Sequence, residues 1–214
     1  MPGCVFPLFM MVFLLPLFFA IIFFNITAVS FAKLGLTSEG AFLLLLASLI
    51  GGMINIPITK QRYRVEQPQQ LIHPFIFYTP PQVREQVICI NVGGAVIPVV
   101  FSLYLLPRTP LAAAAITTIV VALVAKALAR PVPGVGIRLP AFIPPIVSAI
   151  MALLLAGHNA APVAYIAGVL GTLIGADILN YPRFKEMGAQ MLSIGGAGVF
   201  DGIFLVGVIA ALLA

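Results

Sequence analysis

Seven stretches of apolar residues, each near the length of a bilayer crossing, fill almost the whole chain. The hydrocarbon core of a membrane takes roughly 20 apolar residues in helical form, with about 17–25 as the workable range. The stretches lie at roughly residues 5–27, 40–59, 86–106, 111–129, 139–156, 161–179 and 192–214. Between them stand Thr37-Ser38-Glu39, Pro107-Arg108-Thr109-Pro110, Pro131-Val132-Pro133-Gly134 and Asn180-Tyr181-Pro182, which carry turn and helix-end chemistry. Backbone in lipid must satisfy its own hydrogen bonds, and runs of this length do so as helices. The expected fold is all-α: a polytopic transmembrane helix bundle of about seven spans, with residues 1–214 forming a single integral membrane domain. Composition excludes a soluble domain, because only 8% of residues are charged and 62% are hydrophobic, against about 25% charged in an ordinary soluble domain. The opening Met1-Pro2-Gly3-Cys4-Val5-Phe6 lacks the positive region of a cleaved signal peptide, so the first stretch reads as a retained helix.

The net charge of +5 does not point to nucleic acid, because loop topology accounts for it. With the N-terminus in the cytoplasm, the inner loops hold Lys60, Arg62, Arg64, Arg84, Lys126, Arg130, Arg138, Arg183 and Lys185. The outer loops hold only Lys33 and Arg108. Nine basic residues against two is the asymmetry that sets orientation, and it places the C-terminus outside. The longest connection, about residues 60–85, reads as a cytoplasmic interfacial loop, basic at its start and aromatic through Phe75-Ile76-Phe77-Tyr78. Cys4 and Cys89 are far apart, and His73 and His158 have no carboxylate cluster beside them. Neither a disulfide framework nor a metal site follows, and no cofactor is expected. The partners expected are the lipid bilayer and a membrane-protein or peptide substrate.

Two lone carboxylates, Asp177 and Asp201, stand inside these apolar stretches. A charged side chain at the bilayer centre costs at least about 2.5–3.5 kcal/mol, so such groups mark function by default. Asn180 lies three residues beyond Asp177, on the same helical face. Gly195-Gly196-Ala197-Gly198 precedes Asp201, and Gly202 follows it. In a last helix regular from about residue 192, Asp201 would lie roughly 13 Å deep, out of reach of Asp177. Unwinding at the glycine cluster would bring both carboxyls to one level. Two carboxyls about 3 Å apart share one proton, and one then serves as general base while the other serves as general acid. That is the chemistry of aspartyl proteolysis. A buried carboxylate can equally bind and release a proton or cation during transport, or be a structural group hydrogen-bonded at a helix end. Asn91, in Asn91-Val92-Gly93-Gly94, lies near enough to the cytoplasmic side to support the same centre, with hydrogen bonding inside the bundle as its other reading. Asn55, before Pro57, reads as a partner for a carbonyl freed by that proline. The Gly171-x-x-x-Gly175 spacing reads as close helix packing.

Nearly the whole chain resembles a prokaryotic family of integral membrane proteins, the domain-of-unknown-function 1614 family. The strings that carry the likeness are Lys33-Leu34-Gly35-Leu36, Ile54-Asn55-Ile56-Pro57, Asn91-Val92-Gly93-Gly94-Ala95, Gly175-Ala176-Asp177-Ile178-Leu179-Asn180 and Ile194 to Phe204. The resemblance implies a multi-pass protein of the inner (plasma) membrane. The chain is also similar to the GxGD intramembrane aspartyl proteases, the presenilin and signal-peptide-peptidase class. That likeness implies Asp177 and Asp201 as the two catalytic carboxylates; their positions around these two make Asn91, Asn180, Gly195, Gly196, Gly198 and Gly202 the candidates for supporting the centre or binding substrate. The sequence departs from the class pattern where Phe200 replaces its second glycine, and where Pro140-Ala141-Phe142 precedes the aspartates.

Overall fold

The computed structural model describes residues 10–65, 82–196 and 202–214. Seven α-helices run through them: α1 Leu15–Lys33, α2 Ser38–Gly52, α3 Ile97–Leu105, α4 Leu111–Leu128, α5 Ile143–Ala156, α6 Ala160–Thr172 and α7 Gly202–Leu213. A π-helical turn, Val92–Val96, leads into α3, and another, Leu173–Asp177, extends α6. Prolines open helices rather than break them: Pro16, Pro98 and Pro144 sit in the first turns of α1, α3 and α5, where the missing N–H has no helical partner to lose. Thr37 caps α2, its hydroxyl accepting from the Gly40 N–H at 3.2 Å.

Three helical stretches are long and apolar enough to cross a membrane: Met11–Lys33, Leu111–Leu128, and Ile143–Phe184, which Gly157 at φ +53° divides into α5 and α6. Ser38–Gly52, Val92–Arg108 and Ile203–Leu213 are shorter apolar helices. Outward faces are apolar along their length, as at Leu43, Val100, Ile119, Leu123 and Leu154. That is an outer surface suited to lipid, since a soluble monomer seldom exposes apolar patches this large.

The all-α expectation is corrected by two β-sheets. The first has strands β1 Asn55–Val65, β2 Gln82–Asn91 and β5 Met191–Ile194, in the order β1-β2-β5. β1 and β2 pair antiparallel from Asn55↔Asn91 to Val65↔Gln82, and β2 pairs parallel with β5. The second sheet is a small antiparallel pair, β3 Arg130–Val132 and β4 Gly136–Arg138. The stretch read as one span over 40–59 therefore leaves the helix at Gly52, and the stretch read over 86–106 begins as strand. The physical reason is visible in Ile54-Asn55-Ile56-Pro57-Ile58-Thr59. β-branched residues alternate there with polar ones, and a proline sits where a helix interior would need an N–H. The loop reading of residues 60–85 gives way to strand at both ends, and residues 66–81 lie outside the described residues.

The sheets gather at one end of the bundle. Ile88, Phe184, Met187, Ala189 and Leu192 form a small core beneath them, and Gln86 Nε2 donates to the Phe184 and Ala189 carbonyls at 2.9 and 3.1 Å. The Gly134 N–H donates to the Met187 carbonyl at 2.7 Å and docks the β3–β4 turn on the same core. The opposite end is packed with small residues, Ala113, Ala114, Ala152, Ala160, Ala164 and Ala210. Between the ends, Phe31 of α1 meets the rings of Phe101, Tyr165 and Phe204 edge-on at 6.0–6.4 Å, joining α1, α3, α6 and α7. Each such pair contributes about 0.5–1.5 kcal/mol beyond burial. The packing reading of Gly171 and Gly175 holds, because a Cβ at Gly171 would meet the Val121 side chain and one at Gly175 would overlap the Ala122 carbonyl of α4.

A close backbone approach joins α2 to the π turn before α3. A Cβ at Gly93 would overlap the Ser48 carbonyl oxygen and the Gly52 nitrogen, both backbone atoms that cannot rotate away. Gly93→Ala is therefore expected to lower the stability of the detergent-solubilised protein by about 1–3 kcal/mol or more, as overpacking does. Gly40→Ala, whose new methyl finds only ordinary contacts, is the control and should leave the thermal midpoint unchanged or slightly raised.

Candidate functional site

The site lies where α6, the sheet and the start of α3 converge. The π turn Leu173–Asp177 ends α6. In a regular α-helix, residues five apart diverge by about 140°, at 3.6 residues per turn. The wider π turn bonds i to i+5 instead and brings Thr172 and Asp177 onto one face. Asp177 is 8% exposed and Thr172 is 2% exposed.

Asp177 Oδ2 accepts the Gly195 N–H at 2.8 Å. Gly195 and Gly196 hold φ of +90° and +88°, the left-handed region that glycine enters without a Cβ clash. They break the chain between β5 and α7, and the Gly196 N–H turns back to the Ser193 carbonyl at 3.3 Å. Gly195 also lies flat on the other π turn, since a Cβ there would come within 2.6 Å of the Ala95 Cβ and 2.8 Å of its nitrogen. The break expected at the glycine cluster is thus present in its described half. Gly198 and Asp201 lie outside the described residues, and Gly202 is the first residue of α7.

Asn91 does not hydrogen-bond to Asp177. Its Oδ1 accepts the Gly94 N–H at 2.7 Å, capping the π turn, and its Nδ2 donates to the Gly52 carbonyl at 2.8 Å and to Asn55 Oδ1 at 3.1 Å. Ser193 Oγ donates to the same Asn55 oxygen at 2.7 Å. The expectation that Asn55 answers a carbonyl freed by Pro57 is corrected, because its side chain links β2 to β5. Asn180 also turns away from Asp177. Its Nδ2 donates to the Ala176 and Gly175 carbonyls at 2.8 and 3.2 Å, and its Oδ1 accepts from Lys126 Nζ at 2.7 Å. Lys126 donates as well to the Leu179 carbonyl. Asn91 and Asn180 therefore shape the backbone around the carboxylate.

Asp177 lines two cavities. One, of about 170 Å³, lies beneath the sheet against Val135, Phe184, Leu192 and Ser193. The other, of about 210 Å³, lies among the helices against Leu139, Ala141, Thr172, Ile203 and Val206. Ile137, Asp177 and Gly196 belong to both walls. Sequence reasoning missed Thr172, whose only signal is a lone hydroxyl five residues before an aspartate; helical spacing puts it off the face, and only the π turn restores it. Among the described residues, no group of three or more His, Cys, Asp or Glu is placed to hold a metal ion.

Truncating Asn91 would strand the buried Gly94 N–H and Gly52 carbonyl together. Asn91→Ala is expected to cost about 1–3 kcal/mol, the penalty of leaving such groups unpaired. Denaturant titration in detergent measures it, and an unchanged midpoint would remove Asn91 from its place at the junction.

No curated protein and no solved structure matches the chain. One family model does match it, over residues 49–213, a region that takes in α3 to α7, β1 to β5 and the Asp177 site. The chain belongs to the family described as "Protein of unknown function (DUF1614)".

Proposed function

We propose that the protein is a multi-pass membrane carrier in which Asp177 binds and releases a proton or cation coupled to the passage of a small solute. The observation that carries this reading is the position of the carboxylate on the wall common to two cavities, one under the sheet and one among the helices. Discontinuous helices at such points serve transporters by freeing backbone groups to line a site. Here the π turn and the Gly195-Gly196 break supply that discontinuity. Buried ionisable groups within membrane bundles mark ion and substrate paths by default.

The reading takes the seven helices as seven crossings of a prokaryotic inner membrane, N-terminus inside and C-terminus outside. Supporting it, Lys60, Arg130, Arg138 and Arg183 fall in or beside the strands of the sheet end, which is the cytoplasmic side by the positive-inside rule. Val135 and His158 are exposed in connections of opposite expected side. In a background with Cys4 and Cys89 replaced, His158→Cys should react with an impermeant maleimide on intact cells. Val135→Cys should react only after permeabilisation, and the reverse pattern would invert the topology.

Flux in reconstituted vesicles tests the carrier itself. Asp177→Asn keeps an oxygen to accept the Gly195 N–H and should fold normally, yet pH- or cation-gradient-driven uptake should fall to the empty-vesicle level. Full flux in that variant would overturn the proposal. Cleavage of a transmembrane segment that depends on both Asp177 and Asp201 would replace it with the aspartyl peptidase reading. A stable partner retained regardless of both changes would replace it with a scaffold.

A further inference from the structure

We infer that the cation bound at Asp177 is a small organic one, a primary ammonium on a short apolar body, and that Thr172 is its second polar contact. This rests on the reading of Asp177 as a binding group. Among the described residues, the Asp177 carboxylate has one hydrogen bond, from Gly195, although a carboxylate can accept about four. Of the basic side chains described on the adjoining elements, Lys126 is turned to the Leu179 carbonyl and Asn180 Oδ1, and Arg130, Arg138 and Arg183 are exposed. A buried anion left without a counter-charge is costly, and a cationic ligand supplies that charge.

The Thr172 hydroxyl narrows the chemistry. Its oxygen is buried and has no hydrogen-bond partner, and Thr172 is among the residues that line the cavity among the helices with Asp177. Two acceptors of this kind, five residues apart on one face of a π turn, suit two of the three N–H groups of an ammonium. A guanidinium would want both carboxylate oxygens for its planar fork, and the Gly195 N–H already takes one of the two acceptor sites on Oδ2, so a bidentate fork is crowded there where a single ammonium N–H is not. A hard metal ion would want about six oxygens, whereas the rest of this cavity is apolar, with Leu139, Ala141, Ile203 and Val206 on its walls. Those side chains suit a hydrocarbon body of a few carbons in about 210 Å³.

Calorimetry on the full-length protein in nanodiscs, with n-butylammonium, n-butylguanidinium and 1-butanol as probes, tests the assignment. Butylammonium should bind about tenfold or more tightly than butylguanidinium, and butanol should not bind measurably. Thr172→Val, which removes only an unpartnered hydroxyl, should weaken butylammonium about tenfold, the worth of one hydrogen bond to a charged group. Thr172→Ser should restore binding, and Asp177→Asn should abolish it. Should Thr172→Val prove unstable, Thr172→Ala carries the same expectation. Equal affinity in Thr172→Val, or no binding of butylammonium by the unaltered protein, would overturn the inference. A protein that still shows Asp177-dependent flux but ignores alkylammonium would sink the ligand class and leave the carrier standing. Ammonium binding with flux indifferent to Asp177 would do the opposite.

Discussion

The carboxamide of Asn91 holds together the three pieces of backbone on which the site is built. It caps the π turn into α3, ties off the last carbonyl of α2 and reaches Asn55 at the start of β1. Asn55 in turn holds Ser193 of β5. A net hydrogen bond contributes only about 1 kcal/mol, but a buried group left unpaired costs about 1–3. The network works because every member depends on the others. It also requires Gly93 and Gly52 to pass backbone against backbone, which no side chain at Gly93 would permit. Two residues past Ser193, Gly195 rests on Gly94 and Ala95 and offers its N–H to Asp177. The carboxylate's position is thus set by a chain of contacts that begins at α2.

The second irregularity, the π turn at the end of α6, is stabilised from outside. π-helical geometry is rare and persists where the surroundings compensate it. Asn180 takes up the Gly175 and Ala176 carbonyls, and Lys126 of α4 takes up Asn180 and Leu179. The bare Cα of Gly175 lets α4 approach closely enough for that lysine to serve. A widened turn held on both sides presents Thr172 and Asp177 together to a cavity while the rest of α6 packs as an ordinary helix.

Much of this is readable from residue order, and the misses have clear causes. The apolar runs locate the seven α-helices of the described residues, because hydropathy over a membrane-length window does not depend on neighbours. The strands escaped that window: Ile56, Ile58, Val87, Ile88 and Ile90 are as apolar as any helix, and their pairing depends on a partner dozens of residues away. Lone polar residues in apolar surroundings drew attention to Asp177, Asn91 and Asn180. Their partners could not be foreseen, since Asn91 and Asn180 each turned to backbone and left the carboxylate to a glycine N–H.

The sequence by itself determined a chain whose apolar runs form helices with lipid-compatible faces, with its scarce charges sorted into alternate connections and a carboxylate stranded near the end of one run. Those are local properties, fixed by the transfer free energy of each side chain and by helix geometry. Only the tertiary structure decided that the runs are shortened by a sheet, that Gly195 rather than an asparagine meets Asp177, and that Thr172 shares its face. Each of these depends on which backbones come within hydrogen-bonding distance. That distance is set by packing between segments far apart in the chain, and no single window of sequence contains it.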